Sequence, residues 1–124
     1  MAAAGYPDAS TPAHATSGNV AAAQAQATLA AVAGRRAYCT GFEITAGGAT
    51  AAALVAAVLS GILGGDATYI FGAPAGATVQ ATPLLVKFQF PVPASALGVA
   101  IAITLPSLGA GNTNAAVSIH GFYI

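Results

Sequence analysis

The chain has 124 residues, enough for one domain with one core and too few for two of ordinary size. Three Lys or Arg and three Asp or Glu give a net charge of zero, where an average soluble domain is about a quarter charged. So few cations leave almost nothing to neutralise phosphates and argue against a nucleic-acid partner, while so few charges of either sign imply a surface covered by a membrane or by other subunits in a permanent assembly.

Residues 1–19 are mostly Ala, Ser, Thr, Gly and Pro, with His14 among them, and hold too little apolar surface to order themselves. They predict an extended, flexible N-terminal arm ahead of a domain over residues 20–124. At about 3.3 Å per residue such an arm spans roughly 60 Å. A compact chain of this length has a radius of gyration of only about 14 Å, so the arm is long enough to reach a neighbouring subunit. Met1–Asp8 carries no basic region before an apolar run, so no secretory signal is expected.

The run Val20–Ala33 is rich in Ala and Gln and favours helix on propensity alone. It stops at Gly34-Arg35-Arg36. The following Tyr38–Thr45 alternates, with Tyr38, Phe42 and Ile44 on one face and Cys39, Glu43 and Thr45 on the other. The two segments predict a hairpin with the arginines at its tip. Thr50–Leu63, the glycine turn at Gly64-Gly65 with Asp66, and Thr68–Phe71 predict a second hairpin. Ala77–Gln80 adds a short strand after the turn material of residues 72–76. In Leu84–Phe90, the residues Leu84, Val86, Phe88 and Phe90 share a face opposite Lys87 and Gln89. Val99–Leu105 and Ala116–Ile124 complete about eight short strands separated by Gly, Pro and Asn turns. That pattern predicts an all-β fold, a single antiparallel β-sandwich of jelly-roll type.

Ala46–Gly65 is uncharged and long enough to span a bilayer. It is dominated by Ala and Gly, no aromatic pair brackets it, and the rest of the chain has strand periods, so a holin-like membrane protein is the least favoured reading and no membrane partner is expected.

Chemistry-bearing residues are sparse. His14 and His120 lie far apart without a Cys or carboxylate at ligand spacing, and no nucleophile elbow or Walker loop occurs, so neither a metal nor a cofactor is expected. Asp8 falls on the expected arm, leaving Glu43 and Asp66, too few for an acid/base pair. The lone Cys39 cannot form an intramolecular disulfide and reads as a small hydrophobe, not a nucleophile. No catalytic residue is assigned, and an enzyme is not expected. Five residues are candidates for subunit contacts. Arg35 and Arg36 are either a docking element, through the bidentate hydrogen bonds arginine makes, or a solvated turn. Glu43, on the face assigned to Cys39, is within reach of Lys87 or the arginine turn as an ion pair or an intersubunit contact. His120 alternates with the core face of the last strand.

From about Gly34 to the end the chain resembles small structural proteins of tailed bacteriophages. The resemblance rests on Ala33–Ile44 (AGRRAYCTGFEI), the Leu63-Gly64-Gly65 turn, Pro74-Ala75-Gly76-Ala77-Thr78, and Gly109–Val117 (GAGNTNAAV) with Gly121-Phe122. It covers about three-quarters of the chain. The resemblance implies a virion component of the capsid decoration or cement type, made in the host cytoplasm. Such a protein binds the outside of the head as a homo-oligomer, a trimer, and bridges subunits of the major capsid protein. It carries no catalytic residues over, and head-fibre, neck and tail proteins remain as alternatives. A receptor- or carbohydrate-binding fibre tip would present aromatic platforms, whereas this chain has no Trp.

Overall fold

The computed structural model describes Pro7, residues 9–109 and residues 111–124. Eight strands run in chain order: β1 (Thr11–Thr16), β2 (Ala25–Leu29), β3 (Ala37–Gly47), β4 (Ala53–Ser60), β5 (Ala67–Ala73), β6 (Leu84–Pro93), β7 (Ile101–Leu105) and β8 (Asn114–Tyr123). They form two four-stranded sheets, ordered β1-β8-β3-β6 and β2-β7-β4-β5, with every pairing antiparallel. β1 pairs with β8, β2 with β7, β3 with β6 and β4 with β5. The chain is therefore one long hairpin, folded back at the β4–β5 turn and rolled into two layers, which is the jelly-roll topology expected from the strand count.

Period-two alternation builds the core between the layers. Ala25, Ala27 and Leu29 of β2, Ile101, Ile103 and Leu105 of β7, and Ala115, Val117 and Ile119 of β8 are all buried, while the residues between them face out. Phe42 of β3 lies near the centre, fully buried. It meets Tyr69 of β5 edge-on, with ring centroids 5.0 Å apart, and Phe88 of β6 at 6.3 Å.

The structure differs from the sequence expectations in four places. Residues 11–16 are not arm but an edge strand of the sandwich, so the domain begins before residue 20; residues 1–6 and 8 lie outside the described residues. The Val20–Ala33 run contains β2, which pairs with β7 in the opposite sheet from β3. The two segments are thus not a hairpin, and the arginines lie on a connection between layers. Ala77–Gln80 is not a strand; only an isolated bridge from Gln80 to Gly47 marks it, and β1 supplies the eighth strand instead.

The fourth difference is a change of parity inside β3. Cys39 pairs with Gly121 and Gly41 with His120, so Thr40 is an extra residue without a partner on β8. Such a bulge shifts the alternation by one. Cys39 therefore points into the core with Phe42 and Ile44, away from Glu43, and Tyr38 faces out with Glu43. On the other side of β3, Gly41 pairs with Lys87 and Cys39 with Val92, so four β6 residues, Phe88 to Pro91, oppose Thr40 alone. β6 bows outward there, at a proline that has no N–H to give to the ladder. Phe90, expected on the core face, is 77% exposed as a result.

Candidate functional site

The outer face of the β1-β8-β3-β6 sheet holds the four charged or imidazole side chains that the strands carry, His14, Glu43, Lys87 and His120. The register aligns His14 with His120, His120 with Gly41, and Gly41 with Lys87, one row crossing all four strands. The imidazoles of His14 and His120 stack, with centroids 4.8 Å apart and planes 25° from parallel. His120 Nε2 lies 2.6 Å from Glu43 Oε1, each side chain being 39% exposed. Gly41 contributes no side chain to the row, and a Cβ there would run into the Val86 carbonyl oxygen. The gap it leaves is a shallow depression lined by Thr40, Gly41, Glu43, Val86, Lys87 and His120. Three of the five candidates from the sequence, Glu43, Lys87 and His120, thus come together in one place.

Arg35 and Arg36 stand apart from that row. Arg35 closes a turn onto the Val32 carbonyl and donates from Nη2 to the Tyr123 carbonyl at 3.1 Å. Arg36 exchanges both backbone hydrogen bonds with Ile124, and its Nε is buried without a hydrogen-bond partner among the described residues. Both side chains are half-buried. The pair clamps the end of β8 to the connection between β2 and β3 and is not at a hairpin tip.

His14 belongs to the row but was not among the candidates, because its segment read as an arm. The available signal was the alternation of Pro12, His14 and Thr16 with Ala13 and Ala15, small enough to pass for linker yet spaced as a strand.

Acid–base chemistry is poorly served. A wider groove of about 320 Å³ at one end of the sandwich is lined by residues such as Thr45, Thr78, Gln80 and Asn114, with no titratable side chain in it. Among the described residues no group of three or more His, Cys, Asp or Glu side chains is placed to hold a metal ion. Burial pushes the Cys39 thiol up to about 11, with the Gly41 backbone opposing more weakly, so the thiol stays protonated and unreactive at neutral pH. Burial also raises Tyr69 and Tyr123.

The second sheet presents a different outer face. Gln26 and Thr28 of β2, Ala102 and Thr104 of β7, Leu54, Ala56, Val58 and Ser60 of β4, and Thr68, Ile70 and Gly72 of β5 form it, without one charged residue. Leu54 is 75% and Ile70 61% exposed. Within strands, every large hydrophobic residue left exposed belongs to β4, β5 or β6.

No helix among the described residues is long and apolar enough to cross a membrane. Comparison with family models, curated proteins and solved structures finds no match to this chain.

Proposed function

We propose that this chain is a structural subunit of a virus particle, a decoration protein that binds the outside of a phage head as an oligomer and stabilises the shell. The observation that carries the reading is the uncharged outer face of the β2-β7-β4-β5 sheet, with Leu54 and Ile70 open to solvent. A face of that kind is built to be covered by protein, because an apolar strand surface without charges invites pairing and aggregation if left bare. The jelly-roll architecture and the poverty of titratable groups agree with a packing role. Its partners are the major capsid protein and further copies of itself.

Cementing of this kind works by mass action. Copies that bind the assembled shell and not its free subunits add their binding free energy to shell stability at every occupied site. In this reading the residues ahead of β1 contact an adjoining capsid subunit.

Imaging of intact particles at subnanometre resolution tests the proposal. Density at regular positions over the capsid lattice is expected. Density confined to a neck, a tail or one vertex assigns the chain to those structures and overturns cementing; absence from any particle overturns the virion assignment altogether.

A further inference from the structure

The sandwich has four edge strands, and three of them carry the devices that discourage pairing with another chain. β1 has Pro12 and is polar; β2 is only five residues long; β6 has Lys87, Pro91 and Pro93 and bows outward. β5, Ala-Thr-Tyr-Ile-Phe-Gly-Ala, has neither charge nor proline nor bulge over seven residues.

The core is also least closed on that side. Inward residues of β2, β3, β7 and β8 are buried, yet Ala67 and Tyr69 of β5, Leu84, Val86 and Phe88 of β6, and Ala53 and Val55 of β4 are only half-buried. On the outer face of the same sheet Ile70 lies in β5 itself and Leu54 opposite Gly72, each more than half exposed.

The sequence of β5 indicates what covers it. Laid antiparallel on its own copy and centred on Ile70, it matches Ala67 with Ala73, Thr68 with Gly72, Tyr69 with Phe71, and Ile70 with Ile70. The inward positions pair small with small and aromatic with aromatic; the outward ones place Ile on Ile and a Thr beside a Gly. We propose that two copies of this chain join by antiparallel β5–β5 pairing about a two-fold axis through Ile70. The junction makes one continuous eight-stranded sheet from two β2-β7-β4-β5 sheets and adds about six to eight main-chain hydrogen bonds. It brings the half-buried Tyr69 and Phe88 sides of the two cores against each other. A self-pairing strand uses one patch on both copies, in contrast to the two different patches of the three-fold ring that the phage resemblance implies. The inference stands on the sheet edge and does not depend on a capsid role.

Sedimentation of the purified full chain at micromolar concentration, with variants at position 70, tests it. The native chain is expected to sediment as a dimer or an even-numbered multiple. Ile70→Lys, at an exposed position, sets two ammonium groups against each other across the axis and weakens association about a hundredfold or more with unchanged far-ultraviolet dichroism. Directly opposed strand residues have Cα atoms about 4.5–5.5 Å apart, within disulfide reach, so Ile70→Cys cross-links to a dimer on mild oxidation. Thr28→Cys, on β2, does not, and the native Cys39 is buried. A monomer, a trimer, or a dimer that Ile70→Cys fails to cross-link overturns the proposal.

Discussion

His14 and His120 stand directly opposite each other on β1 and β8, their rings stacked with centroids 4.8 Å apart, and His120 passes the contact on to Glu43 of β3 through a 2.6 Å hydrogen bond. One side chain therefore ties an edge strand to the two central strands of its sheet. His120→Ala removes both contacts at once and is expected to cost about 0.5–1 kcal/mol, the range of partly exposed cross-strand and ion-pair contacts. Urea unfolding measures the loss. Hydrogen exchange should quicken most at Ala13 and Ala15, and a Glu43→Ala/His120→Ala cycle isolates the ion-pair share.

Gly121 is needed for a different reason. It pairs with Cys39 beside the β3 bulge, and a Cβ at position 121 would run into the Tyr38 carbonyl oxygen and come within 2.9 Å of Leu29 Cδ1. Backbone blocks the first contact, so the strand itself must shift. Gly121→Ala is expected to destabilise by about 1–3 kcal/mol, the usual scale of overpacking, seen as a lower thermal midpoint. Gly64→Ala, at a position with open space around it, serves as the contrast, where only the positive φ of 95° is strained.

Cys39 gives stability a dependence on alkaline pH. In the folded chain the thiol is pushed up from 9.0 to about 11, so between those values the folded state holds a proton that the unfolded state has released. Stability from this group is complete below pH 9 and falls as pH rises through about 11, by about 3 kcal/mol in all. The raised Tyr69 and Tyr123 act in the same direction. Denaturation curves at pH 8 and 10.5 should show the decline, and Cys39→Ala should flatten it.

Truncation separates the segment ahead of β1 from β1 itself. Removal of residues 1–10 leaves Thr11–Thr16 on β8 and is expected to lower the melting temperature less than a deletion that includes β1. Removal of residues 1–18 strips Thr11–Thr16 from β8 along with the backbone bond from Ser17 N–H to the Val117 carbonyl, and should cost about 1–3 kcal/mol by thermal melting. If the proposed shell contact is made by the leading residues, the shorter deletion lowers occupancy on capsids with the smaller loss of stability.

Local signals made much of this fold legible. The β4–β5 hairpin follows from an apolar run broken at Gly61, Gly64 and Gly65, and β6, β7 and β8 follow from period-two alternation. What sequence order hides is pairing between distant strands: β2 and β3 are consecutive yet lie in different sheets, β2 paired with β7 and β3 with β6 and β8, all far along the chain. β1 escaped notice because its inward residues are alanines. The extra residue Thr40 inverted the face assigned to Cys39, a one-residue slip that periodicity alone has no means of locating. Glu43, Lys87 and His120 were readable as polar exceptions in an apolar chain; their convergence with His14 on one row needed the register.

The position of β8 has a consequence for how the chain reaches this state. Last of the eight strands to leave the ribosome, it lies between β1 and β3 and supplies the partner that both require. Until it is made, β1 has no strand partner and β3 is paired by β6 alone. Completion of the fold therefore waits for the last strand, with a period in which uncharged segments such as β5 are exposed to other nascent copies.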